Sequence, residues 1–454
     1  MARRRSRVRR PAEPVEVSIT ELEHDGRGVG RIQGNDNETN NGKVVFVDGA
    51  LPGETVIAQP VHDRSKFSSA VTIEVLAAAP ERIQPACEYF ELCGGCSLQH
   101  MAHDAQISAK QKLLASQFEQ LGFCQPETWL EPVTGPQWHY RRKARLGARF
   151  VPKKGGMLIG FREKRSSYLT GLQKCLVLDQ RFSGALPKMH ELVSSLSTPD
   201  RIPQIEVAAG DNEAVIVVRH LEPLNDNDLT LLRAFGKQTG LQVWLQPKGP
   251  DSIHCLYPAV PAPLNYRLEK FDLEMRFRAT DFTQVNADIN NSMIDLAIDM
   301  LELDQDDNVL DLFCGLGNFT LPIARKAGKV LGIEADEYLV AAARENADRN
   351  GIFNAEFRAG NLYEEVQPPA WHGFRFSKLL LDPPRSGAME PIKELPDARS
   401  GPERIVYVSC NPATLARDAN VLVNRKGYRM AQAGIMDMFP HTSHVESIAL
   451  FLRP

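Results

Sequence analysis

The chain has 454 residues, more than one hydrophobic core usually supports, so two to four domains are expected. Its hydrophobic fraction of 43% and charged fraction of 24% are those of a globular protein, and no apolar run is long enough to span a bilayer or to form a signal-peptide core. Fibrous, wholly disordered and membrane-spanning classes are thereby excluded, and a cytoplasmic protein without membrane partners is expected. The net charge of −4 is unevenly spread, because residues 1–11 carry six arginines and no acid. Phosphate binding and a disordered, solvated tail fit that run equally well. Residues 12–78 hold short strand-like runs at Val15–Ile19, Gly26–Ile32, Lys43–Val47, Glu54–Ala58 and Val71–Val75, separated by Gly- and Asn-rich turns. They predict a small OB-like β-barrel, an architecture that often binds nucleic acid.

Pro80 and Pro85 open a second region, 79–280, with a cysteine cluster, a helix over about 102–121, recurrent strands and helices near 180–196 and 226–239. An α+β central domain is expected. Near its start Arg141, Arg142, Lys143, Arg145 and Arg149 are interleaved with Trp138, Tyr140 and Phe150, a pattern that suits a single-stranded nucleic acid. Residues 281–454 alternate helix and strand, with strands expected at 308–313, 329–334, 355–359, 377–382, 404–410, 428–435 and 446–452. That order predicts a Rossmann-like α/β domain on a mainly parallel sheet, its last two strands antiparallel.

Open α/β sheets keep their ligands at the carboxyl edge of the strands, and four edges here carry chemistry. The first is Asp311-Leu312-Phe313-Cys314-Gly315-Leu316-Gly317-Asn318, where glycines let the backbone approach a ligand. The second ends in Glu334, about 20 residues on, placed to accept ribose hydroxyls. Gly360-Asn361 and Leu381-Asp382-Pro383-Pro384-Arg385 follow. A glycine loop, a ribose acid, an adenine-side residue and an Asp-Pro-Pro turn in that order look like an S-adenosylmethionine methyltransferase. Asp-Pro-Pro alone also fits an amino-methyltransferase, but that chemistry needs no thiol, and Ser409-Cys410-Asn411-Pro412 ends the next strand. Carbon 5 of uracil is too weak a nucleophile to take a methyl group unaided. A thiolate adding at carbon 6 makes it nucleophilic, and a base must then remove the carbon-5 proton. Cys410 is the obvious thiolate. Asp437, His441, His444 and Glu446 are the candidate bases, and Glu446 is the one that heads an apolar strand, where an acid is costly unless used or paired.

These segments resemble the RNA 5-methyluridine (uracil-C5) methyltransferase family. The resemblance is carried, in order, by Phe282-Thr283-Gln284-Val285-Asn286, Asp311 to Phe319, Leu381 to Arg385, Val408 to Pro412 and Met438 to Glu446. It implies that Gln284, Phe313, Asn318, Glu334, Asn361 and Asp382 line the S-adenosylmethionine and uracil pocket, with Cys410 as nucleophile and Glu446 as proton acceptor. Cys87, Cys93 and Cys96, with Cys175 as a distant fourth, have a spacing that suits structural zinc or a [4Fe-4S] cluster. The sequence around them resembles the iron–sulfur subgroup of the family, which favours [4Fe-4S]. Residues 12–78 resemble a TRAM domain, and barrel plus cluster together resemble the members that modify one uridine of 23S ribosomal RNA. A monomer is expected. A transfer-RNA or other ribosomal uracil-C5 enzyme, or a non-catalytic iron–sulfur RNA-binding protein, are the alternatives.

Overall fold

The computed structural model describes residues 13–32, 42–64, 66–364 and 368–454, so the arginine tail lies outside the described residues. Backbone contacts gather the chain into two compact units. One contains the chain up to Glu91 with Cys96–Ala109 and His441–His444, and the other contains Leu92–Gly95, Lys110–Pro440 and Val445–Pro454. Among the described residues, no helix is long and apolar enough to cross a membrane.

In the first unit β1 (Val15–Leu22), β2 (Gly28–Ile32), β3 (Val44–Asp48), β4 (Thr55–Asp63) and β5 (Phe67–Ala77) close a barrel in the order β1-β2-β3-β5-β4. Alternate residues point inward, so Val17, Ile19, Val45, Val47, Val56 and Ala58 form its core. The last two strands run longer than the sequence suggests. Register shifts along β4–β5, one of them between Pro60 and His62, let a proline lie in a strand that bends around the barrel. Gly30 sits where a Cβ would come within 2.3 Å of the Ser18 carbonyl oxygen, so only glycine fits this crossing. Glu54 is buried beneath the barrel and accepts N–H groups from Leu51 and Ala79 and the Arg82 guanidinium. Burial alone would raise its pKa, but these donors hold the carboxyl below its ordinary value.

The helix expected over 102–121 is α1 (His103–Gln117), continued by a wider turn over Phe118–Gly122. Then come β6 (Thr128–Trp129), β7 (Lys143–Val151), β8 (Gly156–Gly160), α2 (Gln180–Ser194), β9 (Gln204–Ala209), β10 (Ala214–Arg219), α3 (Asp226–Thr239), β11 (Gln242–Gln246) and β12 (His254–Tyr257). A six-stranded sheet of order β12-β11-β10-β9-β7-β8 carries α2 and α3, the expected α+β arrangement, and a hairpin β13 (Leu264–Leu268)–β14 (Leu273–Phe277) follows.

The remaining elements are α4 (Ala287–Leu301), β15 (Asn308–Leu312), α5 (Thr320–Ala324), β16 (Lys329–Glu334), α6 (Glu337–Arg349), β17 (Ala355–Ala359), β18 (Lys378–Leu381), α7 (Met389–Glu394), β19 (Arg404–Ser409), α8 (Pro412–Asn420), β20 (Arg429–Met436) and β21 (Glu446–Leu452). All seven strands expected in this region are present. Their sheet has the order β17-β16-β15-β18-β19-β21-β20-β6, parallel from β17 to β19, with β21 inserted antiparallel between β19 and β20. The eighth strand, β6, comes from the central region and pairs parallel with β20. Both faces of the parallel part are covered, which is why its strands read as near-continuous apolar runs.

Candidate active site

Three polar side chains start the helices that flank the sheet edges. Asn286 caps α4, Asp336 caps α6 and Asn411 caps α8, each taking a first-turn N–H on its side chain. Asp336 and Asn411 closely follow strand ends, so their caps fix where the strand-end side chains stand.

At the first edge Phe313 takes φ +67°, uncommon for a bulky residue, and its ring lies 5.7 Å from that of Tyr363. Gly315 and Gly317 also have positive φ, and a Cβ on Gly315 would meet open space. The Glu334 carboxylate accepts the Gly315 N–H at 3.1 Å on one oxygen and the Ala335 and Asp336 N–H groups on the other. It therefore holds the glycine loop in shape. Asn318 accepts the Tyr266 hydroxyl at 2.7 Å and exchanges amide hydrogen bonds with Asn290, bracing the loop to α4 and the hairpin. Asn361 is exposed, accepting the Tyr363 N–H and donating to Glu364. Gln284 is half-buried in the loop before α4. That loop is tied by the Val285 carbonyl to the Arg142 N–H and by Asn286 to the Met438 carbonyl.

Asp311 is the residue to which sequence reasoning assigns no role. It is fully buried, accepts the Thr320 hydroxyl at 2.5 Å on Oδ2, and has no partner for Oδ1 among the described residues. Burial, with the charges of Asp382 and Glu334, pushes its carboxyl up to about 8 despite the Thr320 hydrogen bond. An acid inside an apolar strand is the available signal, the same signal that picks out Glu446. An unsatisfied buried carboxylate oxygen, a positive-φ glycine loop and open space before Gly315 fit a nucleoside-bearing sulfonium ligand.

The reaction edge lies two strands away. Ser409 pairs with Ser447 at the end of the β19–β21 ladder, Cys410 follows Ser409, Glu446 precedes Ser447, and Glu446 pairs with Met436. Glu446 is buried and Cys410 half-buried. Burial and then the charges of Glu446 and Asp382 push the Cys410 thiol up to about 11, with Arg385 opposing. Burial and then Asp382 raise Glu446 well above the carboxylate range, again against Arg385. Asp382 is itself pushed up to about 7 by desolvation. One thiol, two carboxyls and one guanidinium thus share one sheet edge. The Arg385 carbonyl accepts from Asn411 Nδ2 at 3.0 Å and from the Thr414 hydroxyl, which fastens the Asp-Pro-Pro loop to the Cys410 turn. Arg385, in sequence only the end of its motif, is here the cation of the edge. Asp437, another candidate base, is instead buried in an ion pair with Lys110 at 2.6 Å.

The basic stretch is less free than its composition suggests. Arg142 pairs with Asp211, Arg145 with Glu206, and Lys143 donates to the Asp281 carbonyl, its pKa lowered by burial to about 8. Tyr140 is buried with its hydroxyl on the Pro440 carbonyl, while Arg145, Arg149 and Phe150 remain exposed. The barrel carries a comparable surface. Arg27 lies 4.9 Å over the Phe46 ring, Phe46 meets Phe67 edge-on at 5.7 Å, and Arg64 lies 5.7 Å over Phe67. Alternating guanidinium and aromatic groups suit stacked bases.

None of the cysteines is in a disulfide. Cys87 and Cys96 lie in the first unit, Cys93 and Cys175 buried in the second. Among the described residues, no group of three or more His, Cys, Asp or Glu side chains is gathered to hold a metal ion. The local chemistry still suits a sulfur-ligated centre. Gly95 N–H points at Cys93 Sγ at 3.4 Å, and a Cβ on Gly95 would press on Phe161 at 3.1 Å.

The family model described as tRNA (uracil-5-)-methyltransferase matches residues 102–453, and the TRAM domain model matches residues 9–69. A protein of Alkalilimnicola ehrlichii named 23S rRNA (uracil(1939)-C(5))-methyltransferase RlmD is 48% identical over 100% of this chain and 99% of its own length. One of the same name from Aromatoleum aromaticum is 49% identical over 97% of this chain and 100% of its own. In fold, the chain is similar to the crystal structure of Pyrococcus abyssi tRNA (uracil-54, C5)-methyltransferase in complex with S-adenosyl-L-homocysteine. That likeness has a TM-score of 0.72 at 23% identity and covers 96% of this chain and 99% of the other. A sheet edge carrying a thiol and a buried acid, a glycine-loop cradle, the family match over residues 102–453 and full-length relatives agree: the chain is an RNA uracil-C5 methyltransferase and belongs to the tRNA (uracil-5-)-methyltransferase family.

Proposed function

We propose that this enzyme methylates carbon 5 of one uridine in 23S ribosomal RNA, acting as a cytoplasmic monomer. The observation that carries the chemistry is that Cys410 and Glu446 flank the last pair of the β19–β21 ladder, close enough for the Glu446 charge to act on the thiol, with Asp382 and Arg385 acting on both. The choice of RNA rests on the full-length similarity to relatives named for that activity.

S-adenosylmethionine would supply the methyl group, and Gln284, Phe313, Asn318, Glu334, Asn361 and Asp382 would line the pocket that holds it and the uracil, with Asp311 and the glycine loop at the same edge. The uracil is flipped out of its RNA, because stacking shields carbons 5 and 6. Cys410 loses its proton to solvent water as the base enters, and its thiolate adds to carbon 6, moving the ring electrons onto the carbon-4 oxygen as an enolate. Carbon 5 takes the methyl group from the donor's sulfur. Glu446 then accepts the carbon-5 proton, the carbon–sulfur bond to Cys410 breaks, and the thiolate departs. A carboxyl raised by burial is a stronger base than an ordinary one, as abstraction from carbon requires.

The TRAM-like barrel and the exposed part of the 145–150 strand hold flanking RNA. Cys87, Cys93, Cys96 and Cys175 carry a [4Fe-4S] cluster in preference to zinc, with a structural role, since the methyl transfer moves no net electrons. Mapping 5-methyluridine in ribosomal and transfer RNA from cells with and without the gene tests the assignment. Loss of one 23S site is expected, and loss confined to transfer RNA refutes it.

A further inference from the structure

A cavity of about 440 Å³ opens within the second unit, lined from β11, the β13–β14 hairpin and α6. None of its lining residues is among those placed at the cofactor loop or beside Cys410. Three arginines reach it: Arg276 and Arg278 from β14 and just beyond, and Arg349 from the last turn of α6. Arg276 Nε is buried without a hydrogen-bond partner among the described residues, and a buried donor is costly to leave unsatisfied. Arg278 stacks over the Tyr338 ring and pairs with Asp281, which holds its guanidinium in place. Arg349 has no carboxylate partner among the described residues. With Asp281 and Glu345 as the acids of the lining, one positive charge is left over. Trp244, Tyr338, Pro261 and Pro263 supply aromatic and apolar lining.

We propose that this cavity binds one nucleotide of the substrate RNA outside the target uridine, its phosphodiester on Arg276 and Arg349 and its base against Trp244. The inference rests on the RNA reading above and deepens it. A phosphodiester carries the single negative charge that the lining leaves unmatched, whereas a free mononucleotide brings nearly two. The volume is that of one small-ligand site, and Arg278, Glu345 and Arg349 are exposed at its rim, so a chain can enter and leave.

The test is binding of a labelled 23S ribosomal RNA fragment to the full-length protein at several salt concentrations, with Arg276→Gln and Arg349→Gln. Each variant should bind severalfold more weakly, and the slope of log affinity against log salt should fall by about 0.7–0.9. S-adenosylmethionine affinity should stay as in the wild type. Because Arg276 is partly buried, Arg349→Glu, on the exposed end of α6, serves if the first variant fails to fold, and should weaken binding further. Unchanged affinity and slope in the folded variants, with normal wild-type binding, overturn the inference. So does tight binding of free AMP that Arg276→Gln abolishes while RNA affinity stays constant, which marks a small-molecule site. Failure of the wild type to bind any 23S fragment refutes the RNA reading itself.

Discussion

Cys410 follows Ser409 and Glu446 precedes Ser447, so the two flank the last pair of the β19–β21 ladder at one edge of the sheet. The insertion of β21 beside β19 therefore does what no helix-connected parallel neighbour would do: it brings the start of one strand to the end of another. A nucleophile and a proton acceptor at the same sheet edge can act on carbons 6 and 5 of one ring in turn. Cys410→Ala should give no product and no adduct with RNA carrying 5-fluorouridine. Glu446→Gln should still add to the base but stall after methyl transfer, reducing turnover about 10²–10⁴-fold and accumulating a denaturant-stable protein–RNA adduct. Gel electrophoresis of labelled RNA distinguishes the two.

The same edge sets the pH dependence of catalysis. Burial and the neighbouring carboxyls raise both Cys410 and Glu446, and each must lose its proton to act. The single-turnover rate at saturating donor should therefore climb with pH with no early plateau on the thiol side, whose pKa stands at about 11 in the free enzyme. Arg385 is the cation that lowers both groups. Arg385→Met should move the rise to more alkaline pH and depress the rate at neutrality.

Asp311 makes the converse statement about stability. Its folded pKa of about 8 lies above its ordinary 3.8, so the folded chain binds the proton more tightly than the unfolded one. The stabilisation is fully present below about pH 4 and is lost as pH rises through 8. Asp382 acts in the same direction up to about 7. Thermal melting of donor-free protein should show Tm falling between about pH 4 and 8, and Asp311→Asn should flatten that fall.

Lys110 and Asp437 bury opposite charges 2.6 Å apart, and the same ammonium also donates to the Phe439 carbonyl. Burial lowers Lys110, while Asp437 opposes that shift. Lys110→Met takes the ammonium away from a buried carboxylate and should cost roughly 3–5 kcal/mol in denaturant unfolding, whereas Lys110→Met with Asp437→Leu should recover most of it. A double variant as unstable as the single one would show that the pair's worth lies in specific geometry.

The sequence exposes what local pattern encodes. Strand ends marked by Gly315, Glu334, Asp382 and Cys410 are legible because buried parallel strands are apolar runs and any polar residue at their ends stands out. Partners far apart along the chain are not legible. Lys110 is 327 residues from Asp437, and Asp211 and Glu206 neutralise Arg142 and Arg145 from a turn and strand that pattern alone does not align. Two-residue β6 has no period to read. Asp311 is visible in the sequence but reads as part of a motif, because only the fold shows that one of its oxygens has no partner among the described residues.

The cysteine set gives the last test. If the proposed [4Fe-4S] cluster is present, the backbone N–H aimed at Cys93 Sγ would donate to one of its thiolates. Protein purified without oxygen should carry about four irons per chain, with the broad visible absorption of a cluster. Cys93→Ser should lose that iron and lower stability and RNA affinity. In whatever folded fraction remains, methyl transfer at saturating RNA should persist, because no step at Cys410 or Glu446 needs an electron. Full stability and binding in Cys93→Ser, or zinc in place of iron, would reassign the site. Loss of the chemical step alone, with binding intact, would instead require a redox role that the edge at Cys410 does not call for.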